Sequence, residues 1–147
     1  MSLIYADTSA VVRAYFVDED DHLELRSLLF DRTNVVVTSE LTRVELASAV
    51  HSVRREGRLA DAATILDRFD ADCQADGALT LLRLRPDEDL VAARALLGEH
   101  PLRTLAAIHL AVAVHVARPL AAGDAFALAT RDVRQQAAAP ALGLALR

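Results

Sequence analysis

Apolar and polar positions fall into blocks whose lengths suit short strands alternating with helices. Leu3 to Ala6 is an apolar run that stops at Asp7; Thr8 and Ser9, both good helix caps, then precede the apolar stretch Ala10 to Val17. This predicts a strand followed at once by a helix. Asp18 to Asp21 is an acidic turn that puts negative charge at the start of a second helix, which Leu23, Leu25, Leu28 and Leu29 carry to Phe30. Val35 to Thr38 reads as the second strand. Ser39 to Glu56, with Leu46, Val50 and Val53 at helical spacing, predicts a long helix stopped by Gly57. Leu59 to Cys73 repeats that pattern, and Gly77 marks the break before a strand near Leu79 to Leu84, closed by Pro86.

Asp87 to Leu97 predicts a helix with Gly98 after it. Thr104 to Val116 is apolar almost all round, which predicts a buried central helix with Thr104 as its N-cap. Phe126 to Thr130 reads as a strand, Val133 to Ala139 as a short helix and Leu144 to Leu146 as a last strand. The expected fold is α/β, with a central, mainly parallel sheet flanked by helices in three layers. No repeat, linker or low-complexity tract divides residues 1–147, so one domain is expected.

Composition narrows the chemistry. Hydrophobic residues make up 53% of the chain and aromatics 4%, so the core must be built from Leu, Val, Ile and Ala. The single cysteine, Cys73, excludes an internal disulfide and a multi-cysteine zinc site and suits the cytoplasm. The opening apolar run has no basic leader and meets Asp7 early, which predicts neither a signal nor a membrane span. All 16 basic residues are Arg, so Schiff-base chemistry, a Walker-type phosphate loop and a phosphorelay receiver, which each need a Lys, are excluded. A net charge of −5 argues against nucleic-acid binding by general basicity. It leaves room for a nuclease that concentrates carboxylates at its centre and uses local Arg patches, such as Arg54, Arg55 and Arg58, or Arg131 and Arg134.

Sites in open parallel sheets lie beyond the carboxyl ends of strands. Two acids fall there: Asp7 after the first strand, and Asp132 two residues past Thr130. Each has a plain reading as a helix cap and a second as a metal ligand held at a rigid strand end. Glu45 reads either as a solvent-facing acid or as a third carboxylate beside Ser48, Ala49 and Ser52, whose small side chains let a substrate approach. Asp124 precedes its strand and ranks lower. His109 lies one turn after position 106, where the plain reading is a hydrogen-bonded core histidine. His22, His51, His100 and His115 show no zinc spacing.

Together these segments resemble the PIN domains of VapC toxins. Asp7-Thr8-Ser9-Ala10 resembles their opening motif, Val44-Glu45-Leu46 their second acidic element and Thr130-Arg131-Asp132 their late element. Leu102 to Ala111 is similar to the segment carrying their third acid, and Leu142-Gly143-Leu144 to the entry of their last strand. Where that family has Asp after the Leu at 105, this chain has Ala106. Retention of the other three acids favours a single Asp-to-Ala exchange over gradual decay of the site.

The resemblance implies hydrolysis of RNA, such as tRNA or rRNA, by a metal-activated water. Asp7, Glu45 and Asp132 would be ligands of Mg²⁺ or Mn²⁺, supported by Thr8, Ser9 and Thr130, with activity impaired by Ala106. It also implies a cognate antitoxin, a homodimer, and a groove for the antitoxin lined by Val12, Tyr15, Phe16, Leu25 and Leu28. The rival reading is a PIN-like protein that binds RNA or an antitoxin without turnover. A phosphatase of the haloacid dehalogenase type would need an acid where Ser9 stands, and a dinucleotide-binding fold would need a glycine-rich turn after the first strand.

Overall fold

Aliphatic side chains that must be buried on both sides of a strand call for a sheet covered on both faces. The computed structural model, which describes Met1 to Arg147, has that form. The elements are β1 (Leu3–Ala6), α1 (Thr8–Tyr15), α2 (His22–Phe30), β2 (Val35–Ser39), α3 (Thr42–Arg55), α4 (Ala62–Asp72), β3 (Leu79–Leu82), α5 (Val91–Glu99), α6 (Thr104–Val112), α7 (Arg118–Leu120), β4 (Phe126–Ala129), α8 (Val133–Ala138) and β5 (Ala145–Leu146). The strands form one sheet in the order β3-β2-β1-β4-β5. Every pairing is parallel, so the sheet is wholly and not merely mainly parallel.

Alternation along the strands sorts the core into two layers. Ile4, Ala6, Val36, Ala127 and Ala129 pack beneath α1 to α4. Leu3, Tyr5, Val37 and Leu128 pack on the opposite face against α5, α6 and α8. The few aromatics concentrate on the first side, where Tyr15 meets Phe30 and Phe69 edge-on at 5.3 and 6.0 Å and donates its hydroxyl to Asp72 at 2.7 Å.

Several sequence expectations shift at their edges. The first helix begins at Thr8, because Asp7 itself is the N-cap. Ser39 belongs to β2, and the long helix starts only at Thr42. Gly98 lies inside α5; the helix ends at Glu99 because His100 is extended ahead of Pro101. Thr104 is the first helical residue of α6 and not its cap: the chain is still extended at Arg103, which caps without a side-chain bond. The central helix continues past Val112 through a π-helical turn at Ala113–Ala117. Gly77 is a stop of the expected kind, since a Cβ there would lie 2.0 Å from the Asp72 carbonyl oxygen.

Of the five residues expected to line a groove, Tyr15, Phe16 and Leu25 are core residues. Val12 and Leu28 are only partly buried against that core. A smaller hollow of about 240 Å³ opens beside it, between Phe16, Val17, Val53, Leu59 and Ile65. No helix is long and apolar enough to cross a membrane.

Phe69 is 2% exposed and closes the aromatic cluster between α1 and α4. Phe69→Ala is expected to lower stability by about 3–5 kcal/mol, read from urea unfolding followed by circular dichroism.

Candidate active site

Chain connections leave β1 toward β2 and β3 on one side, then cross over to β4 and β5 on the other. The switch in direction lies between β1 and β4, the place where such sheets open a crevice at their carboxyl ends. Asp7 and Asp132 stand there. The Asp7 amide donates to the Ala129 carbonyl at 2.9 Å, which extends the β1–β4 ladder up to the carboxylate-bearing residue.

Asp7 is both a cap and a lining residue. Its Oδ2 accepts from the Ser9 amide at 3.0 Å and the Ser9 hydroxyl at 2.6 Å. Its Oδ1 accepts from Gln135 Nε2 at 3.0 Å. Asp132 likewise caps α8 through Oδ1, which accepts from the amides of Arg134 and Gln135 at 2.8 and 3.1 Å. Thr130 accepts from the Asp132 amide at 3.0 Å and donates to Gln135 Oε1 at 2.6 Å, so it supports the turn as expected.

Glu45 enters from the first turn of α3. Its Oε1 accepts from the Thr8 hydroxyl at 2.9 Å and meets His109 Nε2 at 2.5 Å. Behind it runs a buried series of hydroxyls: Thr8 to Thr42 at 3.0 Å, and Thr42 to Thr38 at 2.9 Å. Thr38 ends the series by donating to the Ala6 carbonyl at 2.6 Å.

These side chains share one cleft of about 570 Å³, whose lining includes Asp7, Glu45, Asp132, Ala106, His109 and Arg103. All three expected carboxylates and the alanine at the fourth position are thus brought together. Asp124 is at the opposite end of the sheet, beside Ser2 and Val35. The donors are hard carboxylate oxygens, which suit Mg²⁺ or Mn²⁺ in type. In number they fall short, for no three His, Cys, Asp or Glu side chains converge closely enough to form a ligand shell.

His109 was read as a core histidine with satisfied hydrogen bonds, and it is buried at 1% exposure. Its partners, however, belong to the site: besides Glu45, Nδ1 lies 2.7 Å from the Tyr5 hydroxyl and 3.8 Å from Asp7 Oδ1. Burial opposes its protonation, but the Glu45 hydrogen bond and the charge of Asp7 outweigh burial and raise its pKa above the ordinary imidazole value. Tyr5 is held as a neutral phenol, first by burial and then by the charges of Asp7 and Glu45.

The arginine patches divide in the same way. Arg131 is spent on structure, bonding Asp21 at 2.5 Å and the carbonyls of Thr130 and Arg147 at 3.1 and 3.0 Å. Burial works against ionisation of Asp21, yet Arg131 and Arg13 together hold its carboxyl below the usual range. Arg58 pairs with Asp18 at 2.8 Å, and Arg54 faces a separate hollow. Arg103, which the sequence did not single out, is exposed on the cleft wall.

Gln135 was also missed. It is fully buried and binds three parts of the site at once: its Nε2 donates to the Ala106 carbonyl at 3.2 Å as well as to Asp7, and its Oε1 accepts from Thr130.

The PIN domain family model matches residues 4–139. Ribonuclease VapC35 of Mycobacterium tuberculosis is 34% identical over 148 residues, covering 98% of this chain and 95% of that protein. Ribonuclease VapC47 of the same organism is 32% identical and covers 82% and 81%. Among solved structures, VapBC2 from Rickettsia felis bound to a DNA fragment from its promoter aligns with a TM-score of 0.62 at 15% identity, covering 99% of this chain and 97% of that one. VapC20 of M. tuberculosis, a Sarcin-Ricin loop cleaving toxin, aligns with a TM-score of 0.55 at 19% identity, covering 74% and 79%. At these identities the two structures bear on the fold alone.

Gln135→Glu keeps the shape but turns a donor into an acceptor against Asp7 Oδ1 and the Ala106 carbonyl. It is expected to cost about 3 kcal/mol near neutral pH. The new carboxyl, buried beside an acid, has a raised folded-state pKa, so the deficit shrinks as pH falls and the group regains a proton to donate. Urea unfolding of both proteins at pH 7.5 and pH 5 measures it.

Proposed function

This chain belongs to the PIN domain family, and on that premise we propose that it is the ribonuclease toxin of a toxin-antitoxin pair, built to hydrolyse RNA phosphodiester bonds with Mg²⁺ or Mn²⁺. The observation that carries this reading is the convergence of Asp7, Glu45 and Asp132, from three separate elements, on one cleft whose remaining wall is the first turn of α6. A bound hard cation would supply an activated water and neutralise charge on the phosphoryl oxygens.

The chain's own residues prepare that chemistry. Asp7 would hold the ion, its orientation fixed on both oxygens by Ser9 and Gln135. Glu45 and Asp132 each use one oxygen for protein hydrogen bonds and keep the other free for a cation or its water. Arg103, exposed on the cleft wall, would receive RNA phosphates.

Ala106 removes the acid that would stand in the first turn of α6, where free amides and the helix dipole favour a carboxylate. With three carboxylates and no fourth, the ion would be held weakly and turnover would be impaired. The same observation favours a second reading, in which the cleft binds RNA or an antitoxin without cleaving. The similarity to VapC ribonucleases supports a cognate antitoxin as protein partner, and the apolar hollow beside Phe16 and Val53 offers it a seat. A homodimer in the cytoplasm completes the proposal.

Ala106→Asp tests it. The variant is expected to cleave structured RNA, tRNA or rRNA fragments, with dependence on Mg²⁺ or Mn²⁺ and loss on chelation, at a rate roughly 100-fold or more above the chain as it stands. Equal RNA affinity in the two proteins, with no cleavage by either across the panel, would favour binding without turnover.

A further inference from the structure

Glu45 is backed at the cleft wall by a relay of buried polar side chains. We propose that His109, held by Tyr5, is a positioning residue that fixes Glu45 Oε1 so that Oε2 is presented to the metal or to its water. This rests on the ribonuclease reading for the use made of Glu45; the relay itself stands on hydrogen-bond geometry alone.

The directions of the bonds follow from the partners. Thr38 must donate to Ala6, because a carbonyl only accepts. Thr8 must donate to Glu45 Oε1, because a carboxylate only accepts. Thr42 lies between them, within reach of both hydroxyl oxygens, so it can donate to either without disturbing either assignment. Oε1 therefore receives one hydrogen bond from Thr8 and a second from His109 Nε2–H at 2.5 Å. Oε2 receives none from the protein.

Glu45 makes the imidazole choose, because a carboxylate only accepts and Nε2 must therefore carry a proton, and the other ring nitrogen faces Tyr5. The Tyr5 hydroxyl lies 2.7 Å from Nδ1, in a strand position with no exposure to solvent. With a neutral ring, Tyr5 donates to Nδ1 and the proton is left on Nε2, facing Glu45. With a charged ring, Nδ1–H donates to the Tyr5 oxygen and Nε2–H still faces Glu45. The Glu45 contact is the same in both states, so the relay does not depend on the charge of the ring. What sets His109 apart from an ordinary satisfied core histidine is that one of its two partners is a carboxylate of the cleft.

Two readouts test the relay. The first is the ring-nitrogen NMR spectrum of the metal-free chain, expected to show His109 protonated on Nε2 with that proton slow to exchange. In Tyr5→Phe the Nε2 proton is expected to stay on the side of Glu45 but to exchange faster, since Nδ1 has lost its partner. A ring protonated on Nδ1 alone in the parent chain would overturn the proposal.

The second is Mn²⁺ affinity, titrated by electron paramagnetic resonance on the Ala106→Asp background with stability checked by urea unfolding. His109→Leu is expected to weaken Mn²⁺ binding by about 10-fold or more, the range in which such supporting groups act. His109→Gln, which keeps a donor toward Glu45 and an acceptor toward Tyr5, is expected to recover most of that loss. A fall in stability with unchanged Mn²⁺ affinity in His109→Leu would reduce His109 to a packing role and overturn the proposal. If Ala106→Asp binds no Mn²⁺ at all, the ribonuclease reading fails, and the ring spectrum alone decides the relay.

Discussion

Parallel pairing of β1 with β4 is the constraint on which the site depends. β1 is buried on both faces and flanked by strands on both edges, so its four residues have no freedom once the sheet forms. The ladder continues through the Asp7 amide, and the chain then turns directly into α1. A carboxylate is thereby fixed at the end of the most restrained element of the fold, beside the strand where chain direction switches. Asp132 occupies the corresponding place after β4. The two caps that start α1 and α8 and the two acids of the cleft are the same residues.

Concentrating carboxylates at such a point is costly in a medium of low dielectric constant, and the fold meets that cost mainly with neutral donors. Serine, glutamine, threonine and tyrosine surround Asp7, Glu45 and their histidine, and no guanidinium forms an ion pair with either acid. Arginine is kept to the periphery, where Arg131 and Arg13 tie the Asp21 turn. This division has a physical reason. A buried arginine in the cleft would neutralise the acids permanently, whereas hydroxyls and amides orient them and leave their charge available to a cation or to the basic groups of a partner.

Much of this was legible in the sequence, and the remainder was not for reasons of range. An apolar run ending in an acid and followed by helix formers marks a strand end, which is why Asp7, Asp132 and the parallel architecture were readable. Gly77 was readable for a similar local reason. His109 and Gln135 carry no local mark, since their defining contacts come from residues 104, 64 and 128 positions away. A polar residue in an apolar helix signals only that it has partners, not which ones. Helix α6 shows the same limit: Thr104 is the better capping residue by type, but the backbone path from Leu102 places Arg103 at the cap.

Position 106 separates folding from chemistry. Gln135 grips the backbone carbonyl of Ala106, not its side chain, and the same amide group holds Asp7. The hydrogen bond that links α6 to Asp7 through Gln135 thus makes no use of the side chain at 106. Ala has the best helix propensity, and here it is 7% exposed in a turn without a side-chain cap. An aspartate would gain from the helix dipole and the free amides, and would lose by repulsion from Asp7 and Glu45 across the cleft. These effects oppose each other, so stability of the fold gives little reason for either residue. What distinguishes them is charge, for only an acid at 106 would add a fourth carboxylate to the cleft lining. The side chain at 106 is thus separate from the hydrogen bonds that build the cleft, which gathers Asp7, Glu45 and Asp132 around an alanine.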